Sequence, residues 1–169
     1  MKGELSMDIS IGSLPSPLGP VTVVANSQGV EEVAFRESAE QIGGDDARRH
    51  RDLAILQLEE YFAGQRNHFE LPLAAEGTPF QQKVWQALLS ISHGQTCSYQ
   101  HIANTIGQPK AVRAVGAANG KNPIAIVVPC HRVIGANGRL TGYAGGLNKK
   151  QWLLNFENPQ ATLDAFQLT

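Results

Sequence analysis

Three short stretches near the start of the chain, Asp8–Ser13, Pro20–Ala25 and Val30–Phe35, alternate in polarity or are rich in β-branched residues. Pro15-Ser16-Pro17-Leu18-Gly19 and Ser27-Gln28-Gly29 separate them. Apolar runs parted by turn residues predict an antiparallel meander. Gly43-Gly44-Asp45-Asp46 reads as a loop. From Ala47 to Ala63, Leu53, Leu56 and Tyr61 fit helical spacing and Gly64 supplies a stop, so a helix is expected. His68–Leu73 is expected as a last strand. Ala74-Ala75-Glu76-Gly77-Thr78-Pro79 breaks the pattern, which predicts two domains, 1–75 and 76–169.

The second half has a different rhythm. Phe80, Val84, Leu88 and Ile91 recur at helical spacing, predicting an amphipathic helix over Phe80–Ile91, with Trp85 in the core. Ser98 suits an N-cap and Gly107 a helix stop, which frames a short helix between them. Pro109 suits the first position of a second helix running to Gly120. Two short helices across a Gly-containing turn form a candidate helix-turn-helix. On the second helix Val112 and Val115 can point inward, while Arg113, Gly116, Ala117 and Gly120 share another face. That face has little bulk and one cation. It suits tight helix packing or close approach to a partner, and Lys110, Arg113 and Lys121 favour nucleic acid. Ile124–Val128 is wholly apolar and reads as a buried strand leading to Pro129-Cys130-His131-Arg132-Val133. A glycine-rich loop follows, then a helix over Lys149–Glu157.

Composition narrows the class. With 169 residues and 42% hydrophobic content the chain can bury one good core or two small ones. No apolar run approaches the roughly 20 residues of a membrane span, so no membrane partner is expected. Met1–Met7 lacks the apolar segment of a secretory leader. Two cysteines, Cys97 and Cys130, are too few for a disulfide framework or a Cys-rich zinc site, and a cytoplasmic setting is the default. The five histidines show no ligand-like spacing, so no metal is expected. Charge is uneven. Residues 1–75 carry six Lys/Arg against twelve Asp/Glu, a net of −6, and residues 76–169 carry eight against three, a net of +5. The split suits a polyanion partner for the second half, or an acidic surface on the first that does nothing.

Cys130 is a candidate nucleophile with a base beside it in sequence. A thiol of ordinary pKa near ~8.5 is a few per cent thiolate at neutral pH and needs a base or a positive environment. His131 and Arg132 follow directly, but adjacent side chains on extended backbone point apart, and a bridging water would be needed to join them. A buried, inert cysteine has the same local sequence.

Pro129-Cys130-His131-Arg132-Val133-Ile134 resembles the active-site signature of the O6-alkylguanine-DNA alkyltransferases, also called methylated-DNA–protein-cysteine methyltransferases. The likeness spans the second half in the family's order. It takes in Ser98-Tyr99-Gln100, Pro109-Lys110-Ala111-Val112-Arg113-Ala114-Val115-Gly116, Gly120-Lys121-Asn122-Pro123, Gly142-Tyr143-Ala144-Gly145-Gly146-Leu147 and Trp152-Leu153-Leu154. The first half is similar more loosely, at Ser16-Pro17-Leu18-Gly19-Pro20 and its strands. The resemblance implies an α/β (α+β) N-terminal domain of ribonuclease-H-like shape and a mostly helical, winged-helix-like C-terminal helix-turn-helix domain.

The resemblance also implies roles. Cys130 resembles the alkyl acceptor, His131 the base acting through a water, and Glu157 the carboxylate orienting His131. Tyr99 resembles the residue that pushes the target phosphate and donates to guanine N3. Arg113 resembles the finger filling the emptied base stack, and Asn122 the hinge between recognition helix and active-site strand. Val133, Tyr143 and Ala144 resemble pocket residues. Gln100, Gln108, Lys110, Ala114, Gly116 and Ala117 fall where the family meets DNA. The expected partner is double-stranded DNA bearing O6-alkylguanine, bound by a monomer through the minor groove, without cofactor, and with consumption of the thiol. O4-alkylthymine as a second substrate and cooperativity along DNA stay open. No cysteine precedes Cys97, so the N-terminal zinc site of some members is not expected. Alkyltransferase-like proteins lack the acceptor cysteine, which sets them apart from this chain. A non-catalytic DNA binder and a cysteine hydrolase built on Cys130 and His131 are the competing readings.

Overall fold

The computed structural model describes residues 8–161 and 167–168. Met1–Met7, where the sequence predicts no leader, lies outside them. The chain divides into two compact units, Met1–Glu76 and Gly77–Thr169.

The first unit is built on a meander of β1 (Ser10–Leu14), β2 (Val21–Asn26) and β3 (Gly29–Ala34), antiparallel in that order. Ser10 faces Ala25 and Leu14 faces Val21, and Val23 faces Val33 across the second pair. The β1–β2 turn is closed by Ser16, whose Oγ accepts from Leu18 N and donates to Gly19 O. The first five residues of β2 are buried on both faces, as a central strand requires. Helix α1 (Asp45–Phe62) packs on β1 and β2. Gly12 makes this possible, since a Cβ there would stand 2.9 Å from Arg51 Cδ.

Two expectations for this unit need correction. The buried face of α1 is Ala47, Arg51, Ala54, Gln57, Leu58 and Tyr61, while Leu53 and Leu56 are exposed. Small alanines bring the helix close to the sheet, and two polar residues lie inside because they are bonded. Arg51 pairs with Asp52 at 2.8 Å. Gln57 accepts from Glu70 N at 2.9 Å and donates to Glu70 O at 3.2 Å. His68–Leu73 forms no strand; it makes a single parallel bridge, Leu73 to Val30. Pro72 offers a carbonyl to Val30 N at 2.9 Å but has no N–H to extend a ladder. Gly29 is needed there, because its φ is +155° and a Cβ would lie 2.4 Å from Pro72 O.

In the second unit, α2 (Pro79–Leu88) starts with a reciprocal capping box between Thr78 and Gln81 and with proline in its first turn. It is shorter than Phe80–Ile91: Leu89, Ser90 and Ile91 donate three residues back, to Gln86, Ala87 and Leu88. Ile91 nonetheless stays buried. Trp85 is core, and its Nε1 donates to Ala118 O at 2.9 Å. Helix α3 (Tyr99–Thr105) is capped by Ser98, which accepts from His101 N, and is followed by Gly107 at φ +76°. Helix α4 (Val112–Gly120) starts later than Pro109. Pro109 sits in a turn closed by Ala111 N to Gln108 O at 2.9 Å, and its carbonyl accepts from Gln100 Nε2.

Ile124–Val128 is buried except at Ala125, but is no strand. Val127 N donates to Ala125 O, and Val128 N to Ile124 O. Ile126 has φ +73°, the sole positive φ outside glycine among the described residues, an outlier for a β-branched side chain. Asn122 spans this coil, accepting from Ile124 N at 3.0 Å and donating to Val128 O at 2.8 Å. The chain then makes a 3-10 turn at Cys130–Arg132 and enters β5 (Val133–Ile134), which pairs in parallel with β4 (Cys97–Ser98). Strand β6 (Arg139–Leu140) pairs with β7 (Gln167–Leu168). Helix α5 (Leu147–Glu157) closes the unit, its Leu154 packing with Ile134 and Leu140. No helix of the described residues is long and apolar enough to cross a membrane.

Candidate functional site

The β4–β5 pairing places the start of α3 beside the 3-10 turn, and so Tyr99 beside Cys130. The turn sets the thiol inside: Cys130 is 5% exposed and His131 fully buried. Burial pushes the Cys130 thiol up, while a hydrogen bond from Asn122 and the positive charge of Lys150 pull it down.

Glu157, the last residue of α5, is the hub behind His131. Its carboxylate accepts from His131 Nε2 at 2.8 Å, from Arg132 Nε at 2.8 Å and from Arg132 Nη2 at 2.9 Å. Arg132 Nη1 donates to Ile91 O at 2.7 Å. Burial pushes the Glu157 carboxyl up, but His131 and Arg132 outweigh it and hold the group well below the usual carboxylate range. Burial moves His131 down, against the pull of Glu157. A neutral imidazole facing a carboxylate carries its proton on the nitrogen that donates, here Nε2. That leaves Nδ1 as a buried lone pair, and it has no hydrogen-bond partner among the described residues. This atom is a base with nothing yet to accept.

Tyr99 is half-buried. Its phenolic oxygen lies 2.5 Å from Thr141 Oγ1. Burial raises its pKa, and the Thr141 bond opposes that. Lys150, on α5, is fully buried, and its Nζ donates to Thr141 O at 2.8 Å. Burial brings it down to about 8, with Cys130 opposing. The Tyr143 ring stands 6.5 Å from the His131 ring, edge to face, and burial raises its phenol well above the ordinary value.

Cys130, His131, Glu157 and Asn122 are thus joined by bonds or sequence, with Tyr99, Tyr143 and buried Val133 around them. Ala144 is exposed on the following loop. Arg113, Ala114 and Ala117 are exposed along α4, and Gly116 meets Tyr99: a Cβ on it would lie 3.9 Å from the ring. Gln100, in the first turn of α3, and Gln108 and Lys110, in the α3–α4 turn, are exposed. Sequence reasoning named Arg132 only as a neighbouring cation, without its bonds to Glu157, and missed Thr141 and Lys150. For Lys150 a signal existed, since it shares the spacing i, i+3, i+4, i+7 with Leu153, Leu154 and Glu157, the other buried positions of α5. Thr141 had none.

Two family models cover most of the chain. Residues 79–159 match the DNA binding domain of 6-O-methylguanine DNA methyltransferase, and residues 9–75 its ribonuclease-like domain. The methylated-DNA–protein-cysteine methyltransferase of Methanosarcina acetivorans is 50% identical over 146 residues, 84% of this chain and 94% of the relative. That of Mycobacterium bovis is 46% identical over 159 residues, 90% and 94%. The crystal structure of Mycobacterium tuberculosis OGT in complex with DNA superposes with a TM-score of 0.79 at 46% identity, covering 91% of this chain and 96% of that one.

Proposed function

Since the chain belongs to the methylated-DNA–protein-cysteine methyltransferase family, we propose that it takes the alkyl group from O6-alkylguanine in double-stranded DNA onto Cys130 Sγ, once per molecule. The observation that carries this reading is the buried His131 Nδ1 lone pair, one residue from a buried thiol and oriented through Nε2 by Glu157.

The chemistry follows from that arrangement. His131 Nδ1 takes the Cys130 proton through a water, and the thiolate attacks the alkyl carbon. The S–C bond forms, the C–O6 bond breaks, and its electron pair stays on guanine. Guanine leaves as a neutral base when Tyr99 donates a proton to N3. Glu157 stabilises the imidazolium, as in a hydrolase triad. The thioether is chemically stable, so turnover is single. Tyr143, Val133 and Ala144 line the pocket for the base, and Asn122 hinges α4 to the segment that delivers Cys130.

O6 is reachable only when the nucleotide is flipped out, at a cost of a few kcal/mol. Arg113 enters the vacated stack, and Tyr99 pushes the phosphate. Gln100, Gln108, Lys110, Ala114, Gly116 and Ala117 meet the minor groove, whose degenerate pattern suits a search for damage in any sequence. The exposed, small-residue face of α4 supports this, as does the DNA bound to the Mycobacterium tuberculosis relative. The protein works as a monomer in the cytoplasm, with residues 1–75 as a ribonuclease-H-like domain and 76–169 as a winged-helix-like acceptor domain. The meander with α1, and the matched ribonuclease-like model, support the former. The test is mass spectrometry after incubation with a duplex carrying O6-methylguanine. One methyl on the Cys130 peptide per repaired guanine is expected. Unmodified Cys130 with the lesion intact overturns the reading.

A further inference from the structure

Tyr99 has a problem as a proton donor. A phenol next to another hydroxyl can spend its proton on that neighbour, and then has none to give. Thr141 Oγ1 lies 2.5 Å from the phenolic oxygen, and either oxygen can be the donor. No other partner of either hydroxyl is present among the described residues. The direction of this bond therefore decides whether the phenolic proton is available.

The surroundings favour one direction. Thr141 is not a passive loop residue, because its carbonyl is held at 2.8 Å by the ammonium of Lys150. Lys150 is fully buried, and among the described residues it has no carboxylate partner. A buried unpaired ammonium is costly, and such a group near a reacting thiol marks a functional device. Its field favours negative charge nearby. In the transfer, negative charge starts on Cys130 Sγ, passes to guanine and ends on the Tyr99 oxygen when its proton leaves. A hydroxyl that donates to that oxygen stabilises the phenolate. A hydroxyl that accepts from it opposes proton release.

We infer that Thr141, fixed by Lys150 through its carbonyl, is a positioning residue for Tyr99: its hydroxyl donates to the phenolic oxygen and leaves the phenolic proton aimed at the flipped base. When the proton passes to guanine N3, the Thr141 hydrogen bond stays with the oxygen left behind. Thr141, Lys150 and Tyr99 thus form an acid side of the site, opposite the base side of His131, Glu157 and Arg132. This inference rests on the reading of Tyr99 as the donor in the alkyl transfer.

The test compares Thr141→Val, which keeps the shape and removes the hydroxyl, with Thr141→Ser, which restores it. The rate of methyl transfer from an O6-methylguanine duplex is measured under single-turnover conditions, with DNA affinity measured alongside. Thr141→Val is expected to slow transfer about five- to tenfold, the size of one net hydrogen bond, with duplex affinity unchanged. Thr141→Ser should transfer within about twofold of wild type. In a Tyr99→Phe background Thr141→Val should add nothing, because the two act as one unit. Wild-type transfer rates in Thr141→Val overturn the inference, and so does an undiminished effect in the Tyr99→Phe background. A Thr141→Ser variant as slow as Thr141→Val also overturns it, by assigning the effect to packing. A wild-type protein that transfers no methyl overturns the parent reading instead, and this one with it.

Discussion

Replacing Glu157 by glutamine changes one oxygen into an amide nitrogen and removes the charge on which the base side of the site is built. The Glu157 side chain is 1% exposed and receives three donors, two of them from Arg132. Glutamine offers a single acceptor oxygen and two N–H groups, so at least one donor meets a donor. The Arg132 guanidinium, itself buried, loses its counter-charge. Removing one partner of a buried ion pair costs about 3–5 kcal/mol, because the other charge stays inside. The chain has two tryptophans, Trp85 and Trp152, both in the second unit, so urea unfolding followed by tryptophan fluorescence reads this unit alone. With an m-value of about 1–3 kcal/mol per molar urea, the midpoint should fall by roughly 1–5 M. Arg132→Met in the Glu157→Gln background should recover part of that loss, since it removes the stranded cation. The pH dependence has a definite sign. Glu157 is depressed in the fold, so its contribution is present above the unfolded value near ~4.3 and is lost as pH falls towards its folded value. His131 is also depressed and acts in the same direction. Below about pH 4.3, where only wild type has Glu157 to protonate, wild type should therefore lose stability more steeply than Glu157→Gln. A loss under about 1 kcal/mol at pH 7, or strict additivity with Arg132→Met, refutes the electrostatic account.

Lys150→Met should cost less than about 1 kcal/mol or stabilise the unit, because at neutral pH the fold carries a buried ammonium brought down to about 8 from an ordinary ~10.4. The same variant should move the pH profile of Cys130 alkylation by iodoacetamide upward, since Lys150 lowers the thiol; a loss near 3 kcal/mol or an unmoved profile contradicts this. Thr78→Ala removes the capping box of α2 and should cost about 0.5–2 kcal/mol by the same fluorescence transition. Arg113→Ala, at an exposed position, should leave stability within about 0.5 kcal/mol. It should slow methyl transfer from duplex DNA at least tenfold while changing transfer from a single-stranded oligonucleotide little. Equal losses on both substrates would remove Arg113 from the flipping step.

What could be read in the sequence was what is decided locally. Ser98 caps and Gly107 stops α3 because a side-chain oxygen and a positive φ act within one turn. The strands of the meander lie within a residue or two of the alternating runs for the same reason. Where tertiary bonds decide, pattern failed. Ile124–Val128 is as apolar as a central strand, yet an Asn122 side chain bridges it into a coil, and burial alone does not separate the two. Leu53 and Leu56 lost the inner face of α1 to Arg51 and Gln57, whose polar ends find partners 40 and 13 residues away. The site divides along the same line. Cys130 and His131 are neighbours in sequence, but Glu157 joins them across 26 residues and was accessible through family likeness alone. Arg132 lies two residues after Cys130, and its two-pronged contact with Glu157 gives it a structural meaning that no spacing rule supplies. The 3-10 turn explains why: it folds the thiol, the imidazole and the guanidinium all inward, where an extended strand would have sent alternate side chains to opposite faces. One short turn thus buries three consecutive side chains together, which under the proposed function serve as the acceptor, the base and the clamp for that base's carboxylate.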